Sequence, residues 1–136
     1  MLTRLFRKKH KPVKQPRVLI VDDSHIMRMV IIMTLQDAGF NVVEAENGKQ
    51  GLHLAKQTDF DLVITDIRMP VMDGLQLIRR LRKQRHYRKT PILSLTNLNS
   101  AHFKEGLRLA GANGWVHKPF GRESLLRTIN TLLQAA

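Results

Sequence analysis

The sequence contains no cysteine, which excludes disulfide bridges and thiolate metal sites and agrees with a reducing cytoplasm. No apolar run approaches the ~20 residues that a bilayer-spanning helix needs. The N-terminus is basic but lacks the apolar stretch of a signal peptide, so we expect a cytoplasmic protein. No glycine-rich phosphate loop and no GxGxxG motif follows an apolar run, which weakens nucleotide binding as a function.

Acidic residues are missing from two short segments, which carry the excess positive charge. Residues 1–17 hold seven basic residues and residues 79–89 hold seven more. The rest has nine basic residues against eleven acidic ones, so the formal net charge of +12 comes from those segments. Residues 1–16 hold two prolines and fit no helix or strand pattern, which predicts a flexible basic arm. Residues 17–136 then form one globular domain.

Two hydrophobic periods alternate along the rest of the chain. Strand-like apolar runs occupy 17–21, 41–45, 61–65, 91–95 and 114–117, with helical spacing between them. Five strands alternating with five helices predict a parallel sheet with helices on both faces. The runs VLIV and LVIT lack alternation, as central strands should. The helical stripes are Ile26, Met29, Val30 and Met33; Leu75, Leu77, Ile78 and Leu81; Leu107, Leu109 and Ala110; and Leu125, Leu126, Ile129, Leu132 and Leu133.

Polar residues follow the predicted strands where ligands bind in open α/β sheets, at the carboxyl ends. Three carboxylates that meet there would repel one another, and Mg²⁺, which prefers oxygen ligands, would neutralise them. An aspartate nucleophile, Mg²⁺, a hydroxyl and a lysine together suit the formation of an aspartyl phosphate. The residues concerned are Asp22, Asp23 and Ser24 after the first strand, Asp66 after the third, Thr96 after the fourth and Lys118 after the fifth.

Simpler interpretations exist for each residue taken alone. Asp22, Asp23 or Ser24 could cap the first helix, and Asp73 before Gly74 is typical of a turn or a helix cap. A threonine after a strand is often an ordinary loop residue, and a lysine there is often a solvated charge. The ordered set, with each member following its own strand, favours phosphoryl chemistry.

Four motifs together carry a family resemblance: VLIVDDS, DLVITDIRMPVMDG, ILSLT and GWVHKPF. In this order and spacing they resemble the receiver domain of two-component response regulators, over residues 16–135. The resemblance is strongest to stand-alone CheY-like receivers, because the chain ends with its fifth predicted helix, and we expect no DNA-binding output domain. It implies a flavodoxin-like, doubly wound (βα)5 fold. It also implies phosphorylation by a histidine kinase, with no turnover of an external substrate.

The resemblance also implies roles for individual residues. Asp66 is then the phosphoacceptor, and Asp23 and Asp66 bind Mg²⁺ directly, together with the backbone carbonyl of Arg68. Asp22 acts on the metal through water. Thr96 and Lys118 then hold the phosphoryl group.

The resemblance further implies a cis Lys118–Pro119 peptide and a switch. In the family, an aromatic at the position of Trp115 rotates inward when the threonine moves toward the phosphoryl group. The rotation alters the surface of the fourth helix, fifth strand and fifth helix, where a downstream protein binds. Alternatively, Trp115 is a half-buried edge aromatic with no switching role. We expect the protein to be a monomer or a weak dimer. The contexts that the resemblance favours are chemotaxis and pilus-based motility.

Two neighbours of the site depart from the family pattern. Asn97 stands where the family usually has a small residue, and its amide could crowd the phosphoryl group or hydrogen-bond to it. Arg68 could pair with Asp22 or Asp23, or shield the phosphoryl group from water. We predict that Arg68 and Leu98 together set the autodephosphorylation rate.

The basic segments leave two interpretations open. On the third helix they are either a solvated face or, with the arm, a surface for an acidic partner, cyclic dinucleotide, nucleic acid or membrane. Tyr87 is their only interleaved aromatic apart from Phe6, so base stacking has little support. In the arm, Leu2, Leu5 and Phe6 lie at helical spacing, as in a segment on an anionic membrane.

Overall fold

A computed structural model describes residues 15–136, so the predicted arm lies outside the described residues except for Gln15 and Pro16. Strands and helices alternate along the chain, and a short 3-10 turn precedes the fourth strand. The elements are β1 (Arg17–Val21), α1 (His25–Asp37), β2 (Asn41–Ala45), α2 (Gly48–Gln57), β3 (Leu62–Asp66), α3 (Gly74–Lys83), the turn (Arg85–Tyr87), β4 (Ile92–Thr96), α4 (Ala101–Ala110), β5 (Gly114–His117) and α5 (Arg122–Ala135).

The five strands form one parallel sheet in the order β2-β1-β3-β4-β5. This order confirms the predicted flavodoxin-like fold. Strand β3 is buried along its whole length and β1 is buried from Val18 onward, as the missing alternation predicted. Strand β4 is also buried along its whole length. The only shifts in strand bounds are at β3 and β4, which begin and end one residue later than predicted.

Helices cover both faces of the sheet. Helices α1 and α5 pack on one face through Ile31, Leu35, Leu125 and Ile129. Helices α2, α3 and α4 pack on the other face, where Leu52, Ile78 and Leu107 belong to a second core. No helix within residues 15–136 has the length and apolar character required to cross a bilayer.

Helix α1 forms as predicted, but its predicted stripe does not face the core. Ile26 is 75% exposed and Met33 is 61% exposed. The buried residues of this helix are Arg28, Ile31 and Leu35. In α4 the same error affects Leu109, which is 72% exposed, whereas Leu107 and Ala110 are buried.

Arg82 on α3 is not part of a solvated basic face. Its guanidinium donates hydrogen bonds to the backbone oxygens of Tyr87, Thr90 and Gly111 and to Oδ1 of Asn113. Burial lowers the pKa of Arg82. The side chain therefore joins the end of α3 to the segment before β4 and to the turn between α4 and β5.

Tyr87 is also buried rather than available for stacking. It has no exposed surface, and its hydroxyl lies 2.7 Å from the carbonyl oxygen of Ala55 and 2.6 Å from that of Thr58. Burial raises the pKa of this phenol. The segment between α3 and β4 therefore presents basic side chains to solvent while its tyrosine packs under α2.

Candidate functional site

Three carboxylates meet where β1 and β3 end. Asp22 follows β1 and is fully buried, Asp66 ends β3 and is 9% exposed, and Asp23 is exposed. One oxygen from each lies within 4.8 Å of the others. The pairing of β1 with β3, in which Val21 stands beside Thr65, brings the two strand ends together.

Lys118 lies opposite the carboxylates, directly after β5. Its Nζ is 3.1 Å from Oδ1 of Asp66 and 3.8 Å from Oδ2 of Asp22. Its backbone N–H donates to the carbonyl oxygen of Thr96, at 2.8 Å, which joins the ends of β4 and β5. The Lys118–Pro119 peptide is cis, as predicted.

The electrostatic environment of Asp22 favours the binding of a cation. Burial is the main cause that raises the pKa of Asp22, and the negative charge of Asp66 adds to it. The Ser24 backbone N–H and Lys118 oppose the rise. Oδ2 of Asp22 is buried and accepts no hydrogen bond from any of residues 15–136. An unpartnered carboxylate oxygen beside two other carboxylates fits a hard divalent ion such as Mg²⁺.

The backbone after Asp66 is held by close packing. Ile67 N–H donates to Oδ1 of Asp66 at 2.8 Å, and Gly74 N–H donates to the Ile67 carbonyl at 2.8 Å. A Cβ on Gly74 would lie 2.2 Å from the Asp66 carbonyl oxygen. The glycine that starts α3 therefore permits the tight turn that follows the aspartate.

Thr96 is the last residue of β4 and is 3% exposed. Its hydroxyl oxygen accepts a hydrogen bond from Leu98 N–H at 3.0 Å. Asn97 is exposed and Leu98 is half-buried. The threonine thus lies at the same sheet edge as Asp66, with the two predicted modulating residues directly after it.

Arg68 lies at the mouth of the site and is exposed. Among residues 15–136 its side chain has no carboxylate oxygen within 4 Å, so the ion pair with Asp22 or Asp23 is not formed. With Ile67, Met69, Pro70 and Asp73 it lines an open groove of about 500 Å³. Its predicted influence on phosphoryl lifetime stays a prediction.

Trp115 on β5 is 37% exposed. Lys104 Nζ of α4 lies 5.6 Å from the centroid of its ring, a cation–π distance. In the parallel register Trp115 pairs with Ser94 of β4, whose buried hydroxyl has no hydrogen-bond partner in the part of the chain that the structure describes. Ser94 leaves only a small side chain beside the indole, and the switching role of Trp115 stays a prediction.

Two of the capping alternatives are confirmed. Ser24 caps α1 by accepting a hydrogen bond from Met27 N–H at 3.2 Å. Asp73 caps α3 in a reciprocal arrangement with Gln76. Asp23 is not the cap of α1, and among residues 15–136 the Asp22 side chain accepts a hydrogen bond only from Ser24 N–H, at 2.9 Å.

Arg28 supports the site but escaped the sequence reasoning. Its guanidinium is buried and donates to the Asp22 carbonyl oxygen at 2.7 Å and to Oε1 of Glu44 at 3.0 Å. It therefore joins the loop after β1 to the edge strand β2. The signal was its spacing, because Arg28, Ile31 and Leu35 share the buried helical face.

Val71, in the loop between β3 and α3, has a φ of 72°, which is strained for a β-branched residue. Its side chain is 75% exposed, so little packing offsets the strain. Replacing Val71 by asparagine or glycine is expected to raise the free energy of unfolding by about 1 kcal/mol. Urea denaturation measures the change. Val71→Ala keeps a Cβ but not the branch, so its free energy of unfolding should lie between that of the wild type and those of the asparagine and glycine variants. Equal stability of the wild type and all three variants would show that Val71 is not strained.

The family comparison agrees with this geometry. Residues 18–130 match the response regulator receiver domain, and the chain belongs to that family. Within the family it is similar to stand-alone CheY-like receivers. Protein PilH of Pseudomonas aeruginosa is 37% identical over 117 residues, which are 86% of this chain and 97% of PilH.

Solved receiver structures resemble the chain as closely. The chemotaxis response regulator CheY4 of Vibrio cholerae is 41% identical, with a TM-score of 0.85, over 88% of this chain and 99% of that one. The receiver domain of the Pseudomonas aeruginosa sensor histidine kinase PA1611, with magnesium coordinated in its active site cleft, is 30% identical, with a TM-score of 0.83, over 89% and 99% of the chains.

Some curated relatives are longer. The probable transcriptional regulator ycf29 of Pyropia yezoensis is 35% identical over 117 residues, or 86% of this chain, and the chain spans 53% of its length.

Proposed function

We propose that the protein is a cytoplasmic response regulator that accepts a phosphoryl group on Asp66 from a histidine kinase. The observation that carries the proposal is the position of Lys118 Nζ, 3.1 Å from Asp66, opposite three carboxylates whose oxygens lie within 4.8 Å. Similarity to a chemotaxis regulator and to PilH supports a role in chemotaxis or pilus-based motility.

Asp66 acts as the nucleophile. Its Oδ1 is engaged by Ile67 N–H and Lys118, so we assign the attack to Oδ2. The Oδ2–phosphorus bond forms as the bond from phosphorus to the donor's imidazole nitrogen breaks. Lys118 and the Thr96 hydroxyl then bind the phosphoryl oxygens. The site promotes phosphoryl transfer by positioning and electrostatics, and no external substrate is turned over.

Mg²⁺, held by Asp23, Asp66 and the Arg68 carbonyl with Asp22 acting through water, would neutralise charge on the phosphoryl oxygens. Oδ2 of Asp22, which is buried and accepts no hydrogen bond within the described part of the chain, supports this assignment. Oxygen ligands alone suit this ion.

The output surface comprises α4, β5 and α5. A groove of about 410 Å³ between β5 and α5 is lined by Trp115, Arg127, Thr128 and Leu132, among others. Phosphorylation draws Thr96 toward Asp66 and lets the Trp115 indole leave Lys104 and turn inward. A downstream protein then distinguishes the two states of this surface.

Incubation with acetyl phosphate and Mg²⁺ tests the proposal by intact mass. The wild type is expected to gain the mass of one phosphoryl group, and chelation with EDTA should prevent the gain. Asp66→Asn should show none, whereas Asp61→Asn, an exposed carboxylate at the opposite sheet edge, should react normally. An unmodified wild type, or an adduct that persists in Asp66→Asn, would refute the assignment.

Asp22→Asn tests the metal site separately. Because burial raises the pKa of Asp22 above its unfolded value, protonation stabilises the fold, and this contribution is lost as pH rises through the raised pKa. At neutral pH the ionised carboxylate is therefore destabilising, and Asp22→Asn should raise Tm in EDTA. Mg²⁺ should raise the Tm of the wild type and have a much smaller effect on the variant. Thermal scans with and without Mg²⁺ measure both, and an equal Mg²⁺ shift in the two proteins would contradict the site.

A further inference from the structure

A cluster of cations lies on the α2–α3 side of the molecule, outside the candidate site. We call it the basic surface. All its side chains belong to exposed residues, and Arg82, which is bonded internally, is not a member. Its members are Lys56 on α2, Arg79, Arg80 and Lys83 on α3, and Arg85, Arg88 and Lys89 in the segment before β4.

The basic surface has no internal counter-charge. Within the described part of the chain, none of its members has a carboxylate oxygen within 4 Å. Of the acids at this edge, Asp59 lies 3.6 Å from His86, and Asp61 accepts a hydrogen bond from Arg17 N–H. Lys56, Arg80 and Lys83 line one pocket, where their like charges repel one another, and an anionic partner would relieve the repulsion.

Helix ends explain only part of the cluster. Lys56, Arg80 and Lys83 lie in the last turns of their helices, where cations complement the helix dipole. Arg85, Arg88 and Lys89 lie beyond α3 and gain nothing from it. The positive charge of these three residues is therefore not explained by the helices and favours a partner outside the chain.

The basic surface lies at the edge of the sheet where the strands begin. Val18 pairs with Leu62, and Val63 pairs with Ile92, so β1, β3 and β4 start at one level. Residues 1–14, which the sequence shows to contain six basic residues and no acid, lead into β1 at this same edge. The basic N-terminal sequence is therefore joined to the domain at the end where the basic surface lies.

The chemistry of this end favours a lipid surface over bases. Tyr87 is fully buried and offers no ring for stacking. The apolar residues Leu2, Leu5 and Phe6 of the N-terminal sequence have no use on a phosphodiester backbone but can bury in a bilayer. Stable membrane binding takes two weak signals, such as an apolar anchor and a polybasic patch.

We propose that the basic surface binds a bilayer rich in acidic phospholipids. Lys56, Arg80 and Lys83 line a polar pocket of about 280 Å³ between α2 and α3, which would take a headgroup phosphate. Membrane binding is a function additional to phosphorylation, and it leaves the phosphorylation site accessible. Asp66 lies at the other end of five-residue strands, about 16 Å away, and faces the aqueous side.

Vesicle co-sedimentation of the full chain tests the proposal, with phosphatidylglycerol–phosphatidylcholine vesicles against phosphatidylcholine alone. The chain should pellet with the acidic vesicles and be released by high salt. Removing Arg79, Arg80 and Lys83 together by substitution with glutamine should weaken binding about a hundredfold, since each cation near the surface contributes about fivefold. Substituting glutamine for Lys49 and Arg122, exposed cations at the starts of α2 and α5, supplies the control, which should bind as wild type.

Several outcomes would overturn the proposal. Equal pelleting of the surface variant and the wild type would show that the basic surface does not bind the membrane. Loss of binding only when Arg4, Arg7, Lys8 and Lys9 are replaced would show the same. Equal binding to neutral vesicles would remove the charge argument. Binding to a labelled DNA duplex, in the absence of vesicle binding, would assign the surface to nucleic acid instead. Acetyl phosphate labelling of Asp66 runs in parallel, so that failure of the phosphorylation function is seen separately.

Discussion

Gly74→Ala is expected to lower the free energy of unfolding by at least about 3 kcal/mol. The added Cβ would lie 2.2 Å from the Asp66 carbonyl oxygen and 2.8 Å from Ile67 Cα. Both are backbone atoms, so no flexible side chain can move aside. Relief requires α3 to separate from the end of β3, which breaks the Gly74 N–H bond to the Ile67 carbonyl.

The same clash should also impair the phosphorylation of Asp66. Ile67 N–H orients Oδ1 of Asp66, so a displaced peptide misplaces the nucleophile. Urea denaturation and acetyl phosphate labelling measure the two effects. Gly106→Ala is the matched control: it lies inside α4 with nothing within 4 Å of the added Cβ, and it should stabilise by up to about 1 kcal/mol. Equal effects of the two substitutions would show that the close approach at Gly74 is unimportant.

Arg82→Met is expected to cost about 3–4 kcal/mol of unfolding free energy. The substitution keeps the apolar stem but removes the donors that satisfy the carbonyl oxygens of Tyr87, Thr90 and Gly111. A charged donor to a partly buried carbonyl contributes more than a neutral one, and the carbonyls left behind lose their partners. Chemical denaturation measures the loss.

Arg79→Met provides the comparison on the same helix. Arg79 is exposed and its side chain makes no hydrogen bond within residues 15–136, so its substitution should change stability by less than about 0.5 kcal/mol. A similar loss in both variants would attribute the effect of Arg82 to helix propensity or to net charge rather than to its hydrogen bonds.

The sheet and the candidate site could be predicted because their signals are local and ordered. Buried parallel strands need continuous apolar runs, and VLIV and LVIT provide them. Parallel strands end at one edge, so residues that follow separate strands must converge. The sequence alone therefore places Asp22 and Asp66 together, although they are far apart along the chain.

Side-chain orientation in the helices could not be predicted as well. Helix α1, HIMRMVIIMTLQD, is apolar around much of its circumference, so spacing alone did not show which face packs on the sheet. Arg28 and Arg82 were missed because a charged residue is expected to face water. Both lie on buried faces, and both satisfy backbone carbonyls that only the folded chain brings near.

The order of the strands also has a consequence for how the chain folds. Leu19 in β1 pairs with Val43 on one side and Val63 on the other, so both its partners are distant in sequence. Contacts of such long sequence separation slow folding, since the intervening loops must close first. During synthesis β1 emerges before either partner, and its apolar side chains stay exposed until β3 has been made. A strand whose apolar side chains are fully buried in the finished protein therefore depends on early protection from aggregation.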